Sequence, residues 1–157
     1  MKRIIYTLII FTLAGGFLLS VTSAQAKTTR IDFTGSEWCD PDTLTVAREW
    51  MAGPNYQARG LTQVCYDMAD IPQMTGTDYL IDGNVKFVGS GGNLILSGKL
   101  RMETSEGGVW VGSWTLPANS TTVQVIGHGE GKYEGMKLHW FLSLDGPFYG
   151  YIEVKDH

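Results

Sequence analysis

The chain has 157 residues, with 12 Lys or Arg and 16 Asp or Glu residues, and a formal net charge of −4. An acidic chain without a Lys/Arg cluster argues against nucleic acid or an anionic membrane as its partner. The length fits one domain with a sizeable core, and it is short for two.

The first 26 residues predict a signal peptide. Lys2 and Arg3 precede the apolar run 4–19, and Ala24-Gln25-Ala26 has the small-x-small form of a cleavage site. A membrane anchor is the alternative, because the run approaches spanning length. The cleavage site favours removal, so we expect an exported, periplasmic or extracellular domain of residues 27–157, with no membrane contact. Its net charge is (12 − 2) − 16 = −6.

Cys39 and Cys65 are the two cysteines. An exported protein meets an oxidising compartment, which favours a structural disulfide between them. A zinc site is the weaker alternative, because two thiols do not complete one. A Cys-x-x-Cys redox motif does not occur in the sequence.

The first half of the domain predicts strands with one ambiguous segment. Residues 28–34 alternate as a strand, and Gly35 is expected to end it before a loop over residues 36–42. Leu44–Met51 fits either a short helix or a strand, and we favour a hairpin of 45–51 with 56–66 around the turn at 52–55.

The middle of the chain alternates clearly. In residues 77–88 the pattern places Tyr79, Ile81, Val85 and Phe87 on one face, with Gly83 as a bend or bulge. A turn over residues 89–92 follows. In the next strand apolar and polar residues alternate, which gives it one apolar and one polar face. Its apolar face is Leu94, Leu96, Leu100 and Met102, and its polar face is Ser97, Lys99, Arg101 and Glu103.

Two tryptophans share a face of the following strand, since Trp110, Gly112, Trp114 and Leu116 alternate with smaller residues. This indicates core packing, with a stacking surface as the alternative. Residues 119–121 form a glycosylation sequon, which matters only in a eukaryotic secretory pathway. Residues 127–144 contain closely spaced glycines, which predict a strand, a shaped turn and another strand. Phe148–Val154 is the last predicted strand.

Eight or nine strands, 20 glycines and no convincing long helix predict an all-β domain: a single antiparallel β-barrel of about eight strands, with a sandwich as the open-sheet alternative. Closure removes the exposed strand edges. A barrel of this size has room for one small ligand.

The glycine-rich passage carries a family resemblance. Gly129-Glu130-Gly131-Lys132-Tyr133-Glu134-Gly135 has the form Gly-x-Gly-x-aromatic-x-Gly, which resembles a hairpin of the allene oxide cyclase and dirigent-like barrel superfamily. Residues 33–39, Phe-Thr-Gly-Ser-Glu-Trp-Cys, resemble the start of exported bacterial proteins with a similar plan. The resemblance implies an eight-stranded antiparallel barrel. Leu138 departs from it where similar proteins often have glycine, and no catalytic residue is transferred.

The sequence contains few candidates for chemistry. A metal site could use His128 and His139 with Glu130 and Glu134, but strand geometry gives no reason for the four to converge, so we expect no metal and no cofactor. The same two glutamates could do acid/base work if one were buried, although glutamates near turns are usually solvated. No Gly-x-Ser-x-Gly elbow occurs, and no catalytic residue is assigned.

Aromatic residues are the more suggestive feature. Trp110, Trp114, Tyr133 and Trp140 are the candidate ligand-binding residues, with a filled core as the alternative. Three hypotheses follow: a barrel that binds a small, largely apolar ligand, a cyclase-like, isomerase-like or dirigent-like enzyme, or an interaction module with a filled barrel. A filled interior would argue against the first two, and a buried carboxyl or histidine facing a cavity would favour the enzyme.

Overall fold

The computed structural model describes residues 27–88 and 93–155, and its strands form one antiparallel sheet, so the all-β prediction is confirmed. The predicted signal peptide, the turn at 89–92 and His157 lie outside the described residues. The strands are β1 (Thr28–Cys39), β2 (Thr45–Ala52), β3 (Asn55–Ala69), β4 (Gly76–Val88), β5 (Asn93–Thr104), β6 (Val109–Leu116), β7 (Thr122–Glu130), β8 (Lys137–Ser143) and β9 (Pro147–Lys155).

Eight of these strands close into a ring. The order is β1-β9-β8-β7-β6-β5-β4-β3, and a further pairing of β1 with β3 closes it. The closing ladder is the shortest of the ring and joins residues 35–39 to residues 65–69. The long strand β3 holds β2 on the same edge, along residues 55–62, so β2 lies outside the ring.

The prediction that Gly35 ends the first strand is wrong. Strand β1 continues to Cys39 because it changes partner, pairing with β9 up to Ser36 and with β3 from Gly35 onward. Gly35 is needed for close packing, since a side chain there would overlap the Phe148 ring. The ambiguous segment at residues 44–51 is a strand, and the predicted hairpin of β2 with β3 is confirmed.

The predicted bulge near Gly83 is confirmed, but the face assigned to β4 is wrong. The register shifts between Ile81 and Asn84. Before the shift, Tyr79 and Ile81 are exposed, and Asp78 is buried. A bulge changes the alternation, so residues before and after it cannot be assigned to a face by one period of two.

The apolar face predicted for β5 is confirmed, and the later strands alternate in the same way. Leu100 and Met102 on β5, and Phe148 and Ile152 on β9, are buried. Strand β7 alternates fully: Val123, Val125, Gly127 and Gly129 are buried, and the residues between them are exposed. The core therefore lies inside the ring, as expected for a barrel of eight strands.

The glycine-rich passage plugs one end of the barrel. Strand β7 ends at Glu130, a short 3-10 turn spans Gly131–Tyr133, and β8 begins at Lys137. The Tyr133 side chain is buried and stacks on Trp110, with 4.9 Å between the ring centroids. Gly129 makes space for this return, because a side chain there would overlap the Tyr133 backbone. Within the described ranges, no helix is both long and apolar enough to cross a membrane.

Candidate ligand cavity

A cavity of about 180 Å³ remains inside the barrel. Its polar wall consists of Glu37, Gln63 and Asp78. Ten apolar residues form the rest of the wall: Leu61, Leu80, Leu96, Leu100, Trp114, Val123, Val125, Trp140, Leu142 and Leu144. Leu144 is exposed, which places an opening at the end of the barrel opposite the Tyr133 plug.

The size of the cavity suits a small molecule. An apolar protein cavity of about 150 Å³ holds benzene, so this one has room for a six-membered ring with a short substituent. Ligand sites usually combine apolar walls with a few placed polar groups. Glu37 and Asp78 supply those polar groups.

Three carboxyl groups meet at the polar side of the cavity. Oxygens of Glu37, Asp67 and Asp78 lie within 4.8 Å of one another. We call these three residues the carboxyl cluster. Asp67 is 2% exposed and Asp78 is 1% exposed, and Glu37 is half-buried.

The disulfide and the strand register assemble the cluster. Cys39 and Cys65 are bonded, which confirms the predicted pair. They face each other across the closing ladder, and Glu37 faces Asp67 two residues along it. Asp78 on β4 is the register partner of Cys65. All five side chains therefore share the inner face, since residues two apart on a strand point the same way.

The cluster has no cationic neighbour among the ion pairs of the described residues. Both carboxylate oxygens of Asp67 and Oδ1 of Asp78 are buried without a hydrogen-bond partner. Buried polar atoms of this kind are rare in folded proteins and call for an explanation. Protons shared among the carboxyl groups, or a bound ligand, can satisfy them.

Burial makes the cluster weakly acidic. It raises the pKa of Glu37 to about 7. Burial, followed by the neighbouring charges of Asp78 and Glu37, raises the pKa of Asp67 to about 9. The pKa of Asp78 is also raised by burial and by Glu37, with partial opposition from the Tyr79 backbone hydrogen bond. At neutral pH the cluster therefore holds protons, and Glu37 is near its midpoint.

Two of the four predicted aromatic residues line the cavity. Trp114 donates its indole N–H to the Lys99 carbonyl oxygen at 3.1 Å. Trp140 is 1% exposed, and its indole nitrogen has no hydrogen-bond partner in the described part of the chain.

The other two predicted aromatics lie at the plugged end. Trp110 donates to the Gln73 carbonyl oxygen at 2.9 Å, and the Tyr133 hydroxyl pairs with Thr104 at 2.9 Å. Neither residue is part of the cavity wall. Their hydrogen bonds are complete, and their packing closes the barrel.

His128, Glu130 and Glu134 line one shallow surface pocket, but they form no metal-like grouping within the described residues, and His139 is not part of that pocket. His139 stacks on Tyr151 at 4.6 Å, and Glu130 lies 3.3 Å from Arg101. His128 and Glu134 are exposed on the outside. Among the described residues, metal-like groupings occur elsewhere: the carboxyl cluster, and Glu37 with the two bonded cysteines.

The carboxyl cluster offers only part of a metal site. Carboxylate oxygens suit a hard cation such as Ca²⁺, which takes six to eight oxygen ligands. The remaining wall residues are apolar except Gln63. A metal ion here would depend on water for much of its coordination. The grouping with Cys39 and Cys65 provides no thiolate, because both sulfurs are in the disulfide.

The carboxyl cluster was not predicted from the sequence, because Asp and Glu side chains are usually exposed. One signal was available. Glu37 and Asp67 each lie two residues from a disulfide cysteine, and half-cystines are usually buried. Period two then places both carboxyl groups inside.

Comparison of the chain with models of protein families, with curated proteins and with solved structures finds no match to any of them. The disulfide indicates a non-cytoplasmic environment, since such bonds persist where conditions are oxidising.

Proposed function

We propose that the protein is exported and that its barrel binds a small, largely apolar molecule in the central cavity. The observation that carries the proposal is the cavity itself, which is lined by ten apolar residues and a pair of carboxyl groups. A barrel filled by its own side chains, as expected for an interaction module, would leave no such space.

The ring of eight strands supports the resemblance to the allene oxide cyclase and dirigent-like superfamily at the level of fold. We carry the resemblance no further, because function depends on the site and not on the fold. The signal-like leader and the disulfide together support export.

Native mass spectrometry of the protein purified from its own host tests the binding proposal. We expect a co-purifying small molecule with wild-type protein. Leu96→Phe should reduce the amount retained, because Leu96 lines the cavity and the larger ring intrudes into the space. Ile95→Phe is the matched control, because Ile95 is exposed on the opposite face of β5 and should leave the molecule bound. Equal behaviour of the two variants, or repeated absence from wild type, contradicts the proposal.

Proton-transfer chemistry is the second candidate, of the cyclase, isomerase or dirigent-like kind. The specific observation is Glu37, whose pKa burial raises to about 7 on the wall of an apolar cavity. A carboxyl group titrating near neutral pH can act as a general base, and a protonated neighbour such as Asp78 can donate a hydrogen bond to developing negative charge.

Incubation of the co-purified molecule with protein in deuterated water tests this candidate. Catalysis predicts deuterium incorporation or an isomeric product with wild type and loss of both with Glu37→Gln. An unchanged molecule with wild-type protein supports binding alone.

A further inference from the structure

The carboxyl cluster lacks the positive charge that would complete it. Glu37 and Asp78 line the apolar cavity, Asp67 lies close behind them, and no ion pair of the described residues reaches the three carboxyl groups. A single protonated carboxyl would be enough to hold a neutral oxygen. Several carboxyl groups so close together suit a cation, which can replace their protons because a buried carboxylate needs a partner of opposite sign.

The two carboxyl groups on the cavity wall suit an ammonium group. A primary ammonium has three N–H donors in a tetrahedral arrangement. Oxygens of Glu37 and Asp78 lie within 4.8 Å of each other. One ammonium nitrogen at about 2.8 Å from each acceptor can therefore donate to both.

The rest of the cavity favours an organic cation over a metal ion. Next to Glu37 and Asp78 the wall is made of Leu, Val and Trp side chains, which suit a hydrocarbon and cannot complete the oxygen shell of Ca²⁺. The unpartnered buried oxygens of Asp67 and Asp78 beside the cavity are a separate indication of a ligand.

We infer that the cavity takes a small primary amine, with its ammonium group on Glu37 and Asp78, with Asp67 behind them, and with its hydrocarbon part against the apolar wall. This inference rests on the proposed binding function and names the class of ligand. Because the empty cluster holds protons, binding of the ammonium releases them, and affinity rises as pH rises through neutrality.

Isothermal titration calorimetry with tyramine and its neutral analogue 4-(2-hydroxyethyl)phenol tests the inference. The two probes share a phenol and differ only in ammonium against hydroxyl. We expect tyramine to bind about tenfold or more tightly than the alcohol near pH 8, with proton release measured in two buffers of different ionisation enthalpy. Near pH 6 the difference should shrink.

Variants separate the cluster from the rest of the cavity. Asp78→Asn and Glu37→Gln should each weaken tyramine about tenfold and change the alcohol little, because both are near-isosteric. Glu134→Gln, an exposed carboxyl outside the cavity, is the matched control and should change neither.

The outcomes distinguish this inference from the proposed function. If the two probes bind equally, or if only the alcohol binds, the proposed ligand binding stands and the amine inference is overturned. A response to CaCl₂ without preference for tyramine assigns the cluster to a metal ion and also overturns it. If neither probe binds, the amine inference fails, and the co-purification experiment decides the binding function separately.

Discussion

Asp67 shows how one residue connects folding to acidity. It is buried, and both its oxygens lack a partner in the described structure. A charge at this position would be costly, so the folded protein keeps the proton at a pH where the unfolded chain releases it. The pKa values of its neighbours Glu37 and Asp78 are also raised, so these groups keep their protons in the folded protein in the same way.

The stability of the protein should therefore fall as pH rises. Raised carboxyl pKa values stabilise the fold fully below the unfolded values near 4, and that contribution is lost as pH rises towards the folded values of about 7 for Glu37 and about 9 for Asp67. We expect the free energy of unfolding to drop by at least about 3 kcal/mol between pH 5 and pH 9 in urea titrations, because Glu37 alone contributes about 1.4 kcal/mol per pH unit between pH 5 and pH 7.

Asp67→Asn should flatten this pH profile, because the amide cannot titrate. Asp70→Asn is the control: Asp70 is exposed, and hydrogen bonds from Thr34 lower its pKa, so its contribution is lost at acid pH instead. A profile that stays level from pH 5 to pH 9 in wild type would show that the cluster is not buried as described.

At the scale of elements, the closing ladder between β1 and β3 determines the site. It is the shortest ladder of the ring, and it contains the disulfide and two of the three carboxyl groups. The same register that pairs Cys39 with Cys65 pairs Glu37 with Asp67. Closure of the barrel and assembly of the cluster are therefore one structural event.

Removal of the disulfide should weaken this closure. The bond joins cysteines 26 residues apart, and for a loop of that length the chain-entropy model gives about 3 to 4 kcal/mol. We expect the double variant Cys39→Ala/Cys65→Ala to lose that amount in chemical denaturation. A reducing agent should have no further effect on this variant. Unchanged stability in the double variant would argue against a role for the disulfide in holding the ladder.

Gly129 allows the chain to fold back closely in the glycine-rich passage. A Cβ at Gly129 would overlap the Tyr133 backbone, which cannot move without opening the plug. We expect Gly129→Ala to lower the free energy of unfolding by roughly 2 kcal/mol or more. Differential scanning calorimetry or urea denaturation measures the loss.

Gly131→Ala provides the comparison for this variant. Gly131 has open space around its Cα but a φ of +59°, so only the backbone penalty of about 1 kcal/mol applies. If the two variants lose the same stability, the close contact with Tyr133 is not the reason for glycine at position 129.

At the scale of the whole molecule, the sequence predicts the barrel well and its contents poorly. The inward faces of β5, β6, β7 and β9 follow from alternation, because each runs without a register shift. In β4 the register shift after Ile81 interrupts the alternation. A single alternating pattern over the whole strand therefore does not place Asp78 on the inner face. Its place beside Cys65 depends on the β3–β4 register, which alternation within one strand does not provide.

The candidate site was predictable in part for the same reason. Trp114 and Trp140 lie on regular strands, and both line the cavity. Trp110 and Tyr133 share the inner face but lie at the plugged end, and only the three-dimensional path of the turn at Gly131–Tyr133 distinguishes the two ends. The carboxyl cluster was not predicted, because Asp and Glu are rarely buried and were therefore expected on the surface.

The central claim is a hollow barrel whose cavity wall contains buried carboxyl groups. A crystal structure at high resolution of the protein purified from its own host tests it most directly. We predict density for a small molecule between Trp114, Trp140 and the carboxyl cluster, with Glu37, Asp67 and Asp78 turned inward. An interior filled by side chains, or carboxyl groups turned to solvent, would contradict the account.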